Sequence, residues 1–272
     1  MTISRFSMGF GAGLLALAVM APASAEVDEA TRAQRWADLS GQIFGDRVIQ
    51  DGSAVLSIDA PDRAADAALV PLKIELAPAL RGEVRGVYLV IDDNPSPLAA
   101  HFIFGDAADP SDVATRVRVD DYTYLHAVAE TRDGKLFGVA RFIKAAGGCS
   151  APASKDQALA MSRLGQMKMS LRGDIQGTVP VEAHLLLSHP NSSGMQMDQL
   201  TRNYIPANFV REVKVTYNGE PVITMESDIS ISEDPSLTFA FVPHGGAGEL
   251  KVEAEDSNNR HFESSWPVKP GT

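Results

Sequence analysis

The sequence predicts an all-β protein built as two antiparallel β-sandwiches in tandem, with one short helix at its front. Three observations carry that prediction. From Ala68 onward apolar residues recur with period two and β-branched residues are frequent. Pro, Gly, Asn and Asp punctuate these runs at the spacing of short strands joined by turns. Helical spacing is confined to a single stretch near the start, which excludes alternating strand–helix architectures.

Residues 1–25 read as a secretory signal peptide, to be set aside before fold reasoning. Arg5 gives a positive start, the run from Met8 to Met20 is apolar, and Ala23-Ser24-Ala25 is a small-residue cleavage pattern before Glu26. The mature protein is expected in the periplasm. No later stretch is long and apolar enough for a membrane span, and no lipid-anchor cysteine stands at the cleavage point. The net charge of the full chain is −11, and loss of Arg5 with the leader makes it more negative still. An acidic chain without a basic run offers no electrostatic footprint for nucleic acid.

In the mature chain, Trp36, Leu39, Ile43 and Phe44 fall at helical spacing within residues 28–44, so an amphipathic helix ending near Gly45 is expected to cover one face of the next domain. Strands are predicted over residues 68–76, 84–91, 100–104, 114–119, 123–131 and 135–144, the last two joined by a hairpin turn at Arg132-Asp133-Gly134. Asp92, Asp93 and Asn94 suit a turn before Pro95 better than a calcium loop. A second set is predicted over residues 167–172, 178–188, 209–217, 220–227, 236–242, 249–254 and 260–267, with a type I′ signal at Asn218-Gly219. The glycine-rich stretch 245–248 lies between strands and reads as a turn rather than a phosphate cradle. These patterns divide the chain into a signal peptide (1–25), a first domain (26–145), a linker (146–161) and a second domain (162–270).

The linker carries the sole cysteine, Cys149, within AAGGCSAPASKD. Gly147 and Gly148 precede it and small or turn-forming residues follow, which predicts a flexible loop with an accessible thiol. An unpaired cysteine in an exported chain is a free thiol, an intermolecular bridge that could make a disulfide homodimer, or a carrier of another group. A buried core cysteine is the plain alternative, because cysteine packs as a small hydrophobe.

Several segments resemble the sulfur-carrier family formed by SoxY and its partner SoxZ. The first half is similar to SoxY over VYLVIDDNPSPLAAHFIF (Val87 to Phe104), the strand pair around Arg132-Asp133-Gly134, and Gly147-Gly148-Cys149. The second half is similar to SoxZ over HPNSSG (His189 to Gly194), YIPANFV (Tyr204 to Val210), YNGEPV (Tyr217 to Val222), ISISEDPSLTFAF (Ile229 to Phe241) and the glycine turn before Leu250. The resemblance implies immunoglobulin-like sandwiches, pairing of the two halves within one chain, and a non-catalytic role. It implies that a sulfur-containing adduct is held covalently on Cys149, with Gly147 and Gly148 as the pivot of a mobile arm and no other cofactor tightly bound. The implied partners are periplasmic sulfur-oxidising enzymes and c-type cytochromes. The fused arrangement is also similar to SoxYZ-like carriers found alongside quinoprotein dehydrogenases. In the two-chain family the cysteine lies at or next to the carboxyl terminus, whereas this chain continues through Ser150 into the second domain, tying the arm at both ends.

Two lysines near the cysteine in sequence, Lys144 and Lys155, could favour a thiolate or an anionic adduct. A competing reading comes from methionine: Met161, Met167, Met169, Met195, Met197 and Met225 all follow Cys149. Together with Cys149, His184 and His189 these soft ligands suit Cu(I), so a periplasmic copper-binding or copper-delivery protein using Met, His and Cys ligands is the alternative, with Met195, Met197 and His189 as its candidate site. A third class, an interaction module with an incidental cysteine, is expected if Cys149 proves buried.

Overall fold

A computed structural model describes residues 28–152, 157–173, 175, 179–244 and 247–269. The expected leader, Lys155 and part of the glycine turn at 245–248 lie outside the described residues.

The first half begins with α1 (Glu29–Phe44), followed by β1 (Ile49–Asp51), β2 (Leu56–Asp59), β3 (Val70–Leu76), the single turn α2 (Pro78–Arg81), β4 (Val84–Ile91), β5 (Leu98–Phe104), β6 (Ala108–Val117), β7 (Thr123–Thr131) and β8 (Leu136–Ile143). After the cysteine loop come α3 (Gln157–Ser162), β9 (Met167–Arg172), β10 (Val181–Leu187), β11 (Val210–Tyr217), β12 (Glu220–Ser227), β13 (Ser236–Phe241), β14 (Gly248–Asp256) and β15 (His261–Val268). The all-β reading holds, and every predicted strand is present. β1 and β2, at three and four residues, are too short to show a period. α3 forms inside what was expected to be plain linker.

Asp28 caps α1 by accepting from the Thr31 amide at 2.9 Å. The helix lies on a sheet face as expected: Trp36 stacks on His126 with ring centroids 3.6 Å apart, and Phe44 meets Tyr88 edge-on. Phe44 packs with Val128 and Leu136 in a small cluster of its own.

The two halves are joined through both layers. One sheet of nine strands runs β1-β8-β7-β4-β5-β12-β11-β14-β15, and the other, of six, runs β2-β3-β6-β13-β10-β9. β5 pairs antiparallel with β12, setting Phe102 opposite Met225, and β6 pairs antiparallel with β13, setting Val113 opposite Phe239. These four side chains are buried in one core that contains residues of both halves. Strand edges that would otherwise be open templates for aggregation are thereby closed on each other.

Candidate functional site

The segment after β8 does not protrude. The Gly147 amide donates to the Asp120 carbonyl at 2.7 Å and the Gly148 amide to the Val119 carbonyl at 3.0 Å. The Cys149 amide donates to Asp120 Oδ1 at 3.2 Å. The expectation of an accessible thiol is therefore corrected: Cys149 is buried, with no exposed surface. In this closed arrangement Gly148 is close-packed. A Cβ on Gly148 would stand 2.1 Å from the Ala67 carbonyl oxygen and 2.6 Å from that of Val119. Gly147 has φ +75°, in the left-handed region. Small residues suit a free loop and a tightly packed one equally, and here they permit the second.

The second half closes the loop from the other side. Asn191, Ser193 and Gln196 belong to the connection between β10 and β11 and are all buried. Ser193 Oγ donates to the Cys149 carbonyl, and Gln196 Nε2 donates to the Ala151 carbonyl at 3.1 Å. Gln196 Oε1 accepts from the Ser193 amide, fixing the latch residues relative to each other. Asn191 takes φ 42° and bonds the Ile231 carbonyl and the Val210 amide, which anchors the connection to the sandwich.

Beneath the loop lies Arg118, a residue that the sequence reading missed. It is 2% exposed. Its Nη1 donates to the Gly148 carbonyl at 3.4 Å and its Nη2 to the Asn191 carbonyl at 3.3 Å, while Nε is buried without a partner. Asn94 organises this frame: its Nδ2 donates to the Arg118 carbonyl at 2.8 Å and its Oδ1 accepts from the Asp120 amide. The turn before Pro95 thus supports the cysteine loop. Arg118 had no local signature, because it sits between Val117 and Val119 like any outward-facing strand residue. Lys144, by contrast, is exposed.

Burial pushes the Cys149 thiol up to about 12; the Asp120 carboxylate adds to the rise, and Arg118 opposes it. Burial also lowers the pKa of Arg118, and the nearby Cys149, Glu233 and Asp66 oppose that fall. In this closed arrangement the sulfur is a protonated thiol with no nucleophilic character.

The copper reading is not supported at the residues that it named. His189 Nδ1 accepts from the Asn191 amide at 3.0 Å, which leaves the proton on Nε2, facing Asp256 Oδ2 at 3.3 Å. Both nitrogens are engaged, and burial lowers the pKa of the ring. His189 is enclosed and Met195 half-buried, whereas Met197 is exposed. Among the described residues no three His, Cys, Asp or Glu side chains converge as metal ligands.

A groove of about 930 Å³ crosses the β6–β13 seam on the six-stranded sheet; Arg118 and Pro152 are in its wall, together with Asp66, Arg116 and Glu233.

Compared with known proteins, residues 40–149 match the family model of the sulfur oxidation protein SoxY, and residues 171–267 match that of the sulphur oxidation protein SoxZ. Among solved structures, the sulfur carrier protein SoxY from Chlorobium limicola f thiosulfatophilum is 28% identical, over 43% of this chain and 96% of that one, with a TM-score of 0.37. A membrane anchored protein from Corynebacterium diphtheriae is 11% identical, over 79% of this chain and 59% of that one, with a TM-score of 0.25. The search of curated proteins returned no match.

Proposed function

The chain belongs to the SoxY and SoxZ families as a fused SoxYZ-like protein, and on that premise we propose that it is a non-catalytic carrier holding sulfur-containing intermediates covalently on Cys149 for partner enzymes. The observation that carries this reading is where the SoxY match ends: it runs to residue 149, the sole cysteine of the chain.

The carrier works in this reading by local opening. Release of the Ser193, Gln196 and Asp120 contacts frees the loop and returns the thiol from about 12 to its ordinary value of 9.0. At neutral pH that change raises the thiolate fraction about a thousandfold. The closed state protects thiol and cargo from adventitious disulfides, and a partner that stabilises the open state gains a nucleophile. A disulfide homodimer through Cys149 forms by the same opening. The partners in this reading are periplasmic enzymes and c-type cytochromes of thiosulfate oxidation, or a quinoprotein dehydrogenase system. The segment 1–25 serves as the export signal.

Intact mass of the protein isolated from its native periplasm without reductant tests the proposal. A reductant-removable adduct, in steps matching sulfur or sulfonate and absent from Cys149→Ser, is the expected result. A bare thiol under sulfur-oxidising conditions would contradict it. A second reading rests on the burial of Cys149: an interaction module with an incidental core cysteine would show that bare thiol and lose considerable stability on Cys149→Ser.

A further inference from the structure

A cation enclosed in protein is costly unless an anion pairs with it. Arg118 is 2% exposed, and among the described residues it has no ion pair within 4 Å. Its two hydrogen bonds, at 3.4 and 3.3 Å, are long and go to neutral carbonyls, and its Nε is orphaned. Asp66 and Glu233 act on it only through space. The guanidinium nevertheless stands beneath the cysteine loop, and Arg118 is among the residues that line the groove across the seam. An incompletely satisfied fork of donors beside a thiol, bordering open space, has the chemistry of an oxyanion receptor.

We propose that Arg118 is the cargo-recognising residue of the carrier, binding the oxyanion of a sulfonate-type group attached to Cys149. The inference rests on the carrier reading. Its structural rival is that Arg118 merely fastens the loop through the Gly148 and Asn191 carbonyls. The two differ in whether the charge of the incoming group matters.

Two probes separate them. With tetrathionate, the Cys149 thiol gives its proton to solvent and the thiolate attacks an inner sulfur. A new sulfur–sulfur bond forms on Sγ, leaving an S–SO3⁻ group there, and thiosulfate departs with the electron pair of the broken bond. With methyl methanethiosulfonate, the same thiolate takes a neutral S–CH3 group and methanesulfinate departs. Loop opening is common to both reactions, so the ratio of their rates isolates recognition of charge. The folded full-length protein is compared with Arg118→Met and Arg118→Lys. The expected result is a fall of roughly tenfold or more in the tetrathionate-to-methanethiosulfonate ratio for Arg118→Met. Arg118→Lys, which keeps the charge but loses the fork, should fall less; it also stands as the test should the Met variant not fold. Equal changes with both probes would overturn the inference while leaving the carrier reading intact. If the folded wild-type protein takes neither probe, the carrier reading fails and the inference with it.

Discussion

Ser193 donates its hydroxyl hydrogen to the carbonyl oxygen of Cys149 at 2.5 Å, across 44 residues of sequence and from the SoxZ-like half to the end of the SoxY-like half. The second half is therefore part of the lid over the thiol. Removing that hydroxyl weakens the closed state by about 1 kcal/mol, the net worth of a buried hydrogen bond. Ser193→Ala should label with iodoacetamide roughly fivefold faster than wild type under native conditions, with a fall of only a few degrees in melting temperature. Stopped-time alkylation read by mass, alongside a thermal melt, checks both parts.

Gly148 and Gly147 should respond to alanine very differently. At Gly148 the added Cβ meets backbone oxygens at 2.1 and 2.6 Å, so the loop must leave its seat or the Ala67 strand connection must shift. Gly148→Ala is expected to cost about 2 kcal/mol or more and to expose the thiol. At Gly147 an added Cβ would meet only the Ser150 hydroxyl, at an ordinary 3.9 Å, so Gly147→Ala pays mainly for its positive φ, about 1 kcal/mol. Denaturant melts of the two variants, with thiol counting in parallel, distinguish packing from pivoting.

Alkaline stability should carry the signature of Cys149. Its folded pKa of about 12 exceeds the ordinary value of 9.0, so above pH 9 the unfolded chain loses a proton that the folded chain keeps. The contribution is fully present below pH 9 and is lost as pH rises toward 12, at up to about 1.4 kcal/mol per pH unit. Cys149→Ser should flatten that slope when unfolding free energy is measured at successive pH values.

The two halves should stay together when the chain between them is cut. The β5–β12 and β6–β13 pairings place buried side chains of both halves in one core. A protease site inserted within residues 153–156 and cleaved should give two fragments that co-elute on gel filtration and separate only in denaturant.

Local patterns made most of the strand inventory legible. β4, β7, β9 and β12 begin and end where alternation and turn residues said they would, and α1 stops at Gly45. What was not legible depended on residues distant in sequence. Phe102 opposite Met225 and Val113 opposite Phe239 pair strands more than a hundred residues apart, and no periodicity encodes such a partner. The cysteine loop was misread for a related reason. Gly147-Gly148-Cys149-Ser150-Ala151 lacks any packing pattern of its own, and its burial is imposed by Asp120, Ser193 and Gln196. Arg118 was invisible because its role exists only after three segments have met.

A carrier whose thiol is buried must open locally, and the denaturant dependence of Cys149 labelling in the native state measures that opening directly. The account predicts labelling that is nearly independent of denaturant at low concentration, because unlatching one loop exposes little surface. Labelling whose slope equals that of global unfolding would mean that the sulfur is reached only when the sandwich comes apart, and would contradict the carrier account.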